Sequence, residues 1–399
     1  MTESARRRSW ARRLRDYLRS LDRPRKVALT IGLVLVLVGL VLVVLAPPPA
    51  RTIPTIGTPR ADAPTLRYIR SLPDAGDPLL VRPVGLAVGR GYLYVADSGD
   101  AVVRVFSTAG PVAGEIGRGT LRVPTYLARD LAAGTLLVTD RELRGVFRFG
   151  EGGEPLGQIV PSIETSATWE PLGIAADGEG TVVVTDTSGK HQVLVMDRAG
   201  QVSRVLGGPV SAEAAGGVSV SLDYPNSVGF WGDELWVADS NNRRVLVFDA
   251  DGALKRLIRV DGIARGLAFL EGEREEDRFV AVADALTSEI VLLDADGDEV
   301  TRYGGPGGSA GRLAYPNDVA FDMRTGQLFV ADMGNARVQV WGVTWPGEST
   351  GPLLPLPAPV LSAMRVAGVI LGLVGTALAG MAVWPRREAR KLPDESGGL

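Results

Sequence analysis

Six aspartates, each closing a short apolar run, recur at Asp97, Asp140, Asp186, Asp239, Asp284 and Asp332, spaced by 43, 46, 53, 45 and 48 residues. A period of this size marks a tandem array, in which each unit buries its apolar face only against its neighbours. The two clearest units begin Pro225-Asn226-Ser227-Val228-Gly229-Phe230 and Pro316-Asn317-Asp318-Val319-Ala320-Phe321. They continue as Leu235–Phe248 and Leu328–Trp341, each with Val-Ala-Asp near its start. Earlier copies run over 83–106, 124–149 and 171–196, and a weaker one over 263–293. Leu235–Ala238 and Val245–Phe248 are apolar, partly β-branched runs separated by Asp-Ser-Asn-Asn-Arg, a hairpin signature. Six units of about four short strands predict an all-β fold, a six-bladed β-propeller over 65–344. The repeating aspartates are expected to accept backbone hydrogen bonds in the hairpin turns, a structural task that six equivalent carboxylates share.

The sixth unit stops at Trp341 without an outer strand, and Thr65–Leu72 matches the outer strand of the others. Pairing the two would close the ring and remove an exposed sheet edge.

The segments P-x-x-[VI]-A, [LF]-[YFW]-V-A-D-[SM] and N-x-R-V-x-V-[FW], as they stand in these units, resemble NHL repeats. The resemblance covers about 66–341 and implies the propeller fold, not a particular activity. Six-bladed lactonases, strictosidine-synthase-like enzymes and amidating lyases share much of the pattern.

Strand parity predicts where such a ring binds. The residues just before each inner strand gather around the central channel, on the same face as the turns between second and third strands. This mouth is expected to present Tyr126, Trp169, Glu170, Tyr224, Asn226, Arg265, Tyr315, Asn317 and Asp318, with Arg82 alongside. A second ring holds Asp100, Arg141, Arg144, Lys190, His191, Asn242, Arg243 and Asn335. Aromatics, arginines and amides are enriched at recognition surfaces. The competing reading has the aromatics wedged between blades. No residue is assigned a catalytic or metal-binding role.

Composition narrows the chemistry. Cysteine is absent, and the single histidine, His191, rules out the multi-histidine metal sites of amidating lyases and leaves no second imidazole for a shared metal site. A lactonase-type site would need Glu170, Asn226, Asn317 and Asp318 to hold a divalent ion such as calcium at the mouth. Asp294-Ala295-Asp296-Gly297-Asp298 looks like a calcium loop, but its glycine comes two positions early, and Asp249-Ala250-Asp251-Gly252 repeats it one blade before. It reads as a hairpin turn. The expected function is a binding or scaffold module for a protein, peptide or envelope glycan, or an accessory subunit of a membrane complex. A metal-dependent lactonase or hydrolase is the alternative, and only that reading requires a cofactor. Residues 47–360 carry 28 basic and 40 acidic side chains, a balance that argues against nucleic acid.

The flanks point to a membrane. Val27–Ala46 is uncharged for 20 residues, and Val366–Trp384 is a second apolar run followed by Arg386, Arg387, Arg390 and Lys391. They predict transmembrane helices over 27–46 and 361–384, with the bilayer as one partner and an envelope protein as another. The basic segment 1–26 and the tail 385–399 would be cytoplasmic, and the propeller extracytoplasmic, held on Pro-rich stalks over 47–64 and 345–360. Trp10, Leu14, Tyr17, Leu18 and Leu21 give 1–26 an amphipathic helical pattern. Arginine outnumbers lysine 39 to 4, the usage of a GC-rich bacterial genome.

Overall fold

The computed structural model describes residues 60–347 apart from 61, 74–79, 111, 164–168, 209–219 and 275, together with scattered positions between 19 and 36. Within 60–347, each of the first five repeats folds as three consecutive hairpins and the sixth as two. Their apolar runs are too short for helices, and turn residues interrupt them every six to eight positions.

Strand β1 (Thr65–Leu72) precedes the first repeat. Blade 1 is β2 (Pro83–Gly89), β3 (Tyr92–Asp97), β4 (Val102–Ser107) and β5 (Val112–Ile116), and blade 2 is β6 (Pro124–Asp130), β7 (Thr135–Asp140), β8 (Gly145–Phe149) and β9 (Pro155–Ile159). Blade 3 is β10 (Pro171–Ala176), β11 (Thr181–Asp186), β12 (Gln192–Asp197) and β13 (Val202–Gly207). Blade 4 is β14 (Pro225–Trp231), β15 (Glu234–Asp239), β16 (Arg244–Phe248) and β17 (Leu254–Arg259). Blade 5 is β18 (Ala264–Glu271), β19 (Arg278–Asp284), β20 (Glu289–Asp294) and β21 (Glu299–Gly304). Blade 6 is β22 (Pro316–Asp322), β23 (Gln327–Asp332) and β24 (Arg337–Thr344), completed by β1. All six sheets have four strands, and neighbouring strands are antiparallel.

The sixth blade closes as its missing strand predicts. Thr65 pairs with Thr344, Tyr68 with Trp341 and Leu72 with Val338, with one bulge between Tyr68 and Arg70. β1 is packed more deeply than the outer strands β5 and β9: Leu66 and Leu72 are buried, whereas β5 and β9 are exposed except at their last residue.

The core lies between blades. One apolar layer joins blades 1 and 2 through Tyr94, Leu136 and Phe149; another joins blades 4 and 5 through Trp231, Trp236 and Leu267. Between blades 6 and 1, Leu72 packs with Leu93, Phe106 and Phe329. At the centre the inner strands approach so closely that side chains must vanish. A Cβ on Gly85 would lie 2.2 Å from the Thr125 carbonyl oxygen, and one on Gly173 would lie 2.4 Å from that of Asn226.

The six aspartates are fully buried at the ends of their strands. All six accept a backbone N–H from the segment entering the inner strand; within the turn Asp97, Asp140, Asp186 and Asp284 accept backbone N–H groups, whereas Asp239 and Asp332 accept the side-chain amides of Asn242 and Asn335. Asp97 accepts from Val81, Arg82 and Gly99, and Asp140 from Arg122, Val123, Glu142 and Leu143. Each carboxylate therefore ties a turn to the start of its own blade. The last residue of each turn is left-handed: Ala101, Arg144, His191, Arg243, Ser288 and Ala336 have φ between 43° and 59°.

One expectation is corrected. Among the described residues, no helix is long and apolar enough to cross a membrane, which overturns the two transmembrane helices expected beside the propeller. A crossing needs about 20 apolar residues in continuous helix, and no helix among the described residues has that length and apolarity together. Residues 37–46 of the first expected span, the whole of 361–384, most of 1–26, most of both stalks and the tail 385–399 lie outside the described residues.

Candidate functional site

The channel is lined by the residue two positions after each inner-strand start: Gly85, Tyr126, Gly173, Ser227, Gly266 and Asp318. Five are small or short, and one is a tyrosine. The Tyr126 side chain crosses the space the others leave. Its hydroxyl takes a hydrogen bond from Asn317 Nδ2 at 3.2 Å, and lies 3.4 Å from the Asn317 carbonyl and 3.5 Å from that of Arg265. Blade 2 thus reaches blades 5 and 6 through one phenol. Burial pushes this hydroxyl far above its ordinary pKa, so it stays protonated. The channel is plugged at this level, and the mouth is a basin above the plug.

Asn317 also donates to the Val84 carbonyl at 3.0 Å, and Asp318 accepts the Leu86 N–H at 2.8 Å, fastening blade 6 to blade 1. Burial raises the Asp318 carboxyl to about 8, the backbone hydrogen bonds only partly offsetting it. Burial thus favours its protonated, neutral form.

Arg265 stands over the plug. Its Nη1 donates to Asn226 Oδ1 at 2.9 Å and its Nη2 to the Tyr315 hydroxyl at 2.7 Å, with the guanidinium 5.4 Å from the Tyr315 ring centroid. Asn226 is fixed in turn by donating to Ser240 Oγ at 2.6 Å. The guanidinium is held by blades 4 and 6 in a single orientation, and its planar fork suits that task. Tyr315 is 39% exposed and sits at φ 52° before a proline, a strained backbone position.

Tyr224 repeats this strain at φ 56°. Its N–H donates to His191 Nδ1 at 3.3 Å, the two rings meet edge to face at 6.2 Å, and Asp223 lies 3.3 Å from the same nitrogen. Glu170 pairs with Arg144 across blades 3 and 2 at 3.2 Å.

The nine residues expected at the mouth therefore divide by depth. Arg265, Tyr315, Tyr224 and Glu170 reach solvent at the basin, whereas Tyr126, Asn226, Asn317 and Asp318 are buried in the plug beneath. Trp169 is buried with Ile174 and Val146 between blades 2 and 3, as a wedge. Sequence reasoning passed over the aliphatic rim. Val81, Leu143 and Leu286 are 57%, 41% and 60% exposed on the same face. Their signal was positional: Val81 stands two residues before Pro83, and the two leucines lie in turns following Asp140 and Asp284.

The donor set for a divalent ion does not converge. Asn226 Oδ1 faces a guanidinium, Asp318 accepts a backbone N–H, Asn317 donates to two oxygens and Glu170 pairs with an arginine two blades from Asp318. Among the described residues, no group of three or more His, Cys, Asp or Glu is placed to hold a metal. The two calcium-like loops are hairpin turns. Asp294 Oδ1 accepts the N–H of Asp296 and Asp298, and Asp249 Oδ1 those of Asp251 and Ala253.

Residues 313–341, the last repeat, match the family model described as NHL repeat. Among solved structures, a structural genomics protein of Bacteroides thetaiotaomicron aligns at 14% identity over 71% of this chain and 76% of its own, with a TM-score of 0.52. The β-propeller domain of Myceliophteria thermophila Cps50 (Swd1) aligns at 13% identity over 70% and 100%, with a TM-score of 0.50. A streptogramin B lyase aligns at 13% identity over 70% and 98%, with a TM-score of 0.49. At these identities the likeness extends to fold alone. The chain is a six-bladed β-propeller that carries an NHL repeat over residues 313–341.

Proposed function

We propose that the propeller is a binding module whose mouth face recognises a protein or peptide partner. The observation that carries this reading is the Arg265–Tyr315 pair, an oriented guanidinium stacked by a half-exposed tyrosine. Such residues act as anchors because little side-chain freedom is lost when a partner covers them. The exposed Val81, Leu143 and Leu286 around the same face favour a polypeptide over a glycan, since they offer apolar surface without hydrogen-bonding groups. The plugged channel supports surface recognition in preference to a deep small-molecule pocket at this end.

The test starts from peptides selected on the full chain from a random library and titrated against variants. Arg265→Ala and Tyr315→Ala should each weaken binding at least about ten-fold, the loss typical of a truncated anchor. Asp251→Ala and Asp296→Ala, in turns on the far face, should leave it unchanged, with circular dichroism confirming the fold throughout. Selected peptides indifferent to both mouth substitutions would refute the reading.

A further inference from the structure

The blade interfaces are closed differently at the far face, and that between blades 3 and 4 holds a cleft. Between blades 2 and 3, Arg198 forms a bidentate pair with Asp130 at 2.5 and 2.9 Å. Between blades 4 and 5, Trp231 stacks on Phe269 at 5.5 Å, Arg278 covers Trp231 at 4.3 Å, and Trp236 fills the space beneath. The strand registers align blade 3 with blade 4, so the positions of Trp231 and Trp236 are taken in blade 3 by Asp177 and Val183. Between blades 3 and 4 the two indoles are therefore missing.

The result is a cleft of about 730 Å³. That volume lies within the range of small-molecule sites, roughly 300–1,000 Å³. Its floor is the open end of the apolar layer between these blades, with Val183, Val195, Phe230 and Leu235 among its lining. Gly178, Gly232 and Gly252 at the rim have no side chain to close it. The lining is mostly anionic: Asp177, Glu179, Asp233 and Asp249 stand against one lining cation, Arg204, and Arg198 beside Asp177 is already paired with Asp130. Arg204 is turned to blade 4, where Nη1 donates to the Ala250 carbonyl at 2.6 Å. Burial opposes the charge on Asp177, but hydrogen bonds from the Thr181 side chain and from the backbone N–H groups of Thr181, Glu179 and Gly180 outweigh it and hold the carboxyl below its ordinary range. An apolar floor under an anionic rim complements a molecule with a hydrophobic body and a positive head.

We propose that this cleft is a second binding site, distinct from the mouth, for a small organic cation with an aromatic or aliphatic body. The body would occupy the volume that Trp236 and Trp231 fill one blade later, and its ammonium would sit among the rim carboxylates.

The probes are tryptamine, its neutral analogue tryptophol and the anionic indole-3-propionate, titrated calorimetrically into the full chain. Tryptamine should bind at least about ten-fold more tightly than tryptophol, with indole-3-propionate weaker still and the difference shrinking as salt is added. Val183→Trp restores the residue that blade 4 carries and should abolish tryptamine binding. Asp233→Lys, an exposed change that spares the packing, should weaken tryptamine at least about ten-fold and narrow or invert the preference over indole-3-propionate. No tryptamine binding, equal binding of all three probes, or tryptamine binding unchanged in both Asp233→Lys and a folded Val183→Trp would overturn the proposal.

Discussion

Leu72→Ala tests whether the propeller is held shut by its first strand. Leu72 is fully buried in the layer between blades 6 and 1, beside Leu93, Phe106 and Phe329, and its backbone pairs with Val338. Truncating a buried leucine removes apolar contacts and leaves a cavity, at a cost of about 2–5 kcal/mol. The upper half of that range is expected, because both walls are built from inner or middle strands with little freedom to collapse. For a domain of this size each kcal/mol lowers Tm by about 2 °C, so the loss is about 7–10 °C by calorimetry. The comparison is Leu156→Ala on β9, an ordinary outer strand where the side chain is 45% exposed. That change should stay within about 0.5 kcal/mol. Amide exchange adds a local readout: in Leu72→Ala the β1 and β24 amides should exchange faster than those of blades 2 to 4. If Leu72→Ala and Leu156→Ala melt alike, β1 is a dispensable appendage and does not hold the ring shut.

The strand-ending carboxylates should differ by what they neutralise. Asp332 accepts from Ala314 N–H, Asn335 Nδ2, Arg337 Nε at 2.6 Å and Gln339 Nε2, so Asp332→Ala leaves the Arg337 guanidinium, still bonded to the Gly308, Ser309 and Arg312 carbonyls, without its counter-charge and should cost about 3–5 kcal/mol in urea unfolding. Asp97 serves three backbone donors and no arginine, so Asp97→Ala should cost only about 1–3 kcal/mol; equal losses would show that the Arg337 contact contributes nothing. Asp318 keeps its proton in the folded chain up to about pH 8, against an ordinary value of 3.8. At this site the unfolded chain then binds fewer protons between those limits, so the Asp318 contribution to stability falls as pH rises from about 4 to about 8. Asp318→Asn should flatten that slope in urea titrations at pH 5 and pH 8, and an unchanged slope would mean the carboxyl is ionised in the fold.

Much of the ring was legible because a propeller is built from near-neighbour relations. The apolar runs and turn residues of one repeat decide its hairpins, and the period of the aspartates decides how many blades form. The missing sixth outer strand and the unmatched Thr65–Leu72 announce the closure, since an unpaired edge is costly anywhere. Even the weak fifth repeat behaves as written: Glu289 stands where Arg244 and Arg337 stand in its neighbours, and Asp284 is left with Arg302 at 3.8 Å in place of a close arginine. The site was less legible, because its contacts join residues far apart in the chain. Parity placed Tyr126, Asn226 and Arg265 at one end of the ring but said nothing of depth. Only the assembled circle sets a tyrosine of blade 2 against the backbone of blades 5 and 6, 139 and 191 residues away, and turns an expected anchor into a plug. The cleft between blades 3 and 4 has the same origin. Asp177 and Val183 are ordinary in their own repeat, and become an opening only because the adjacent blade offers nothing large enough to fill it. Local pattern determined the elements and their number, whereas which side chains fill, plug or leave open the space between blades was decided by packing around the ring.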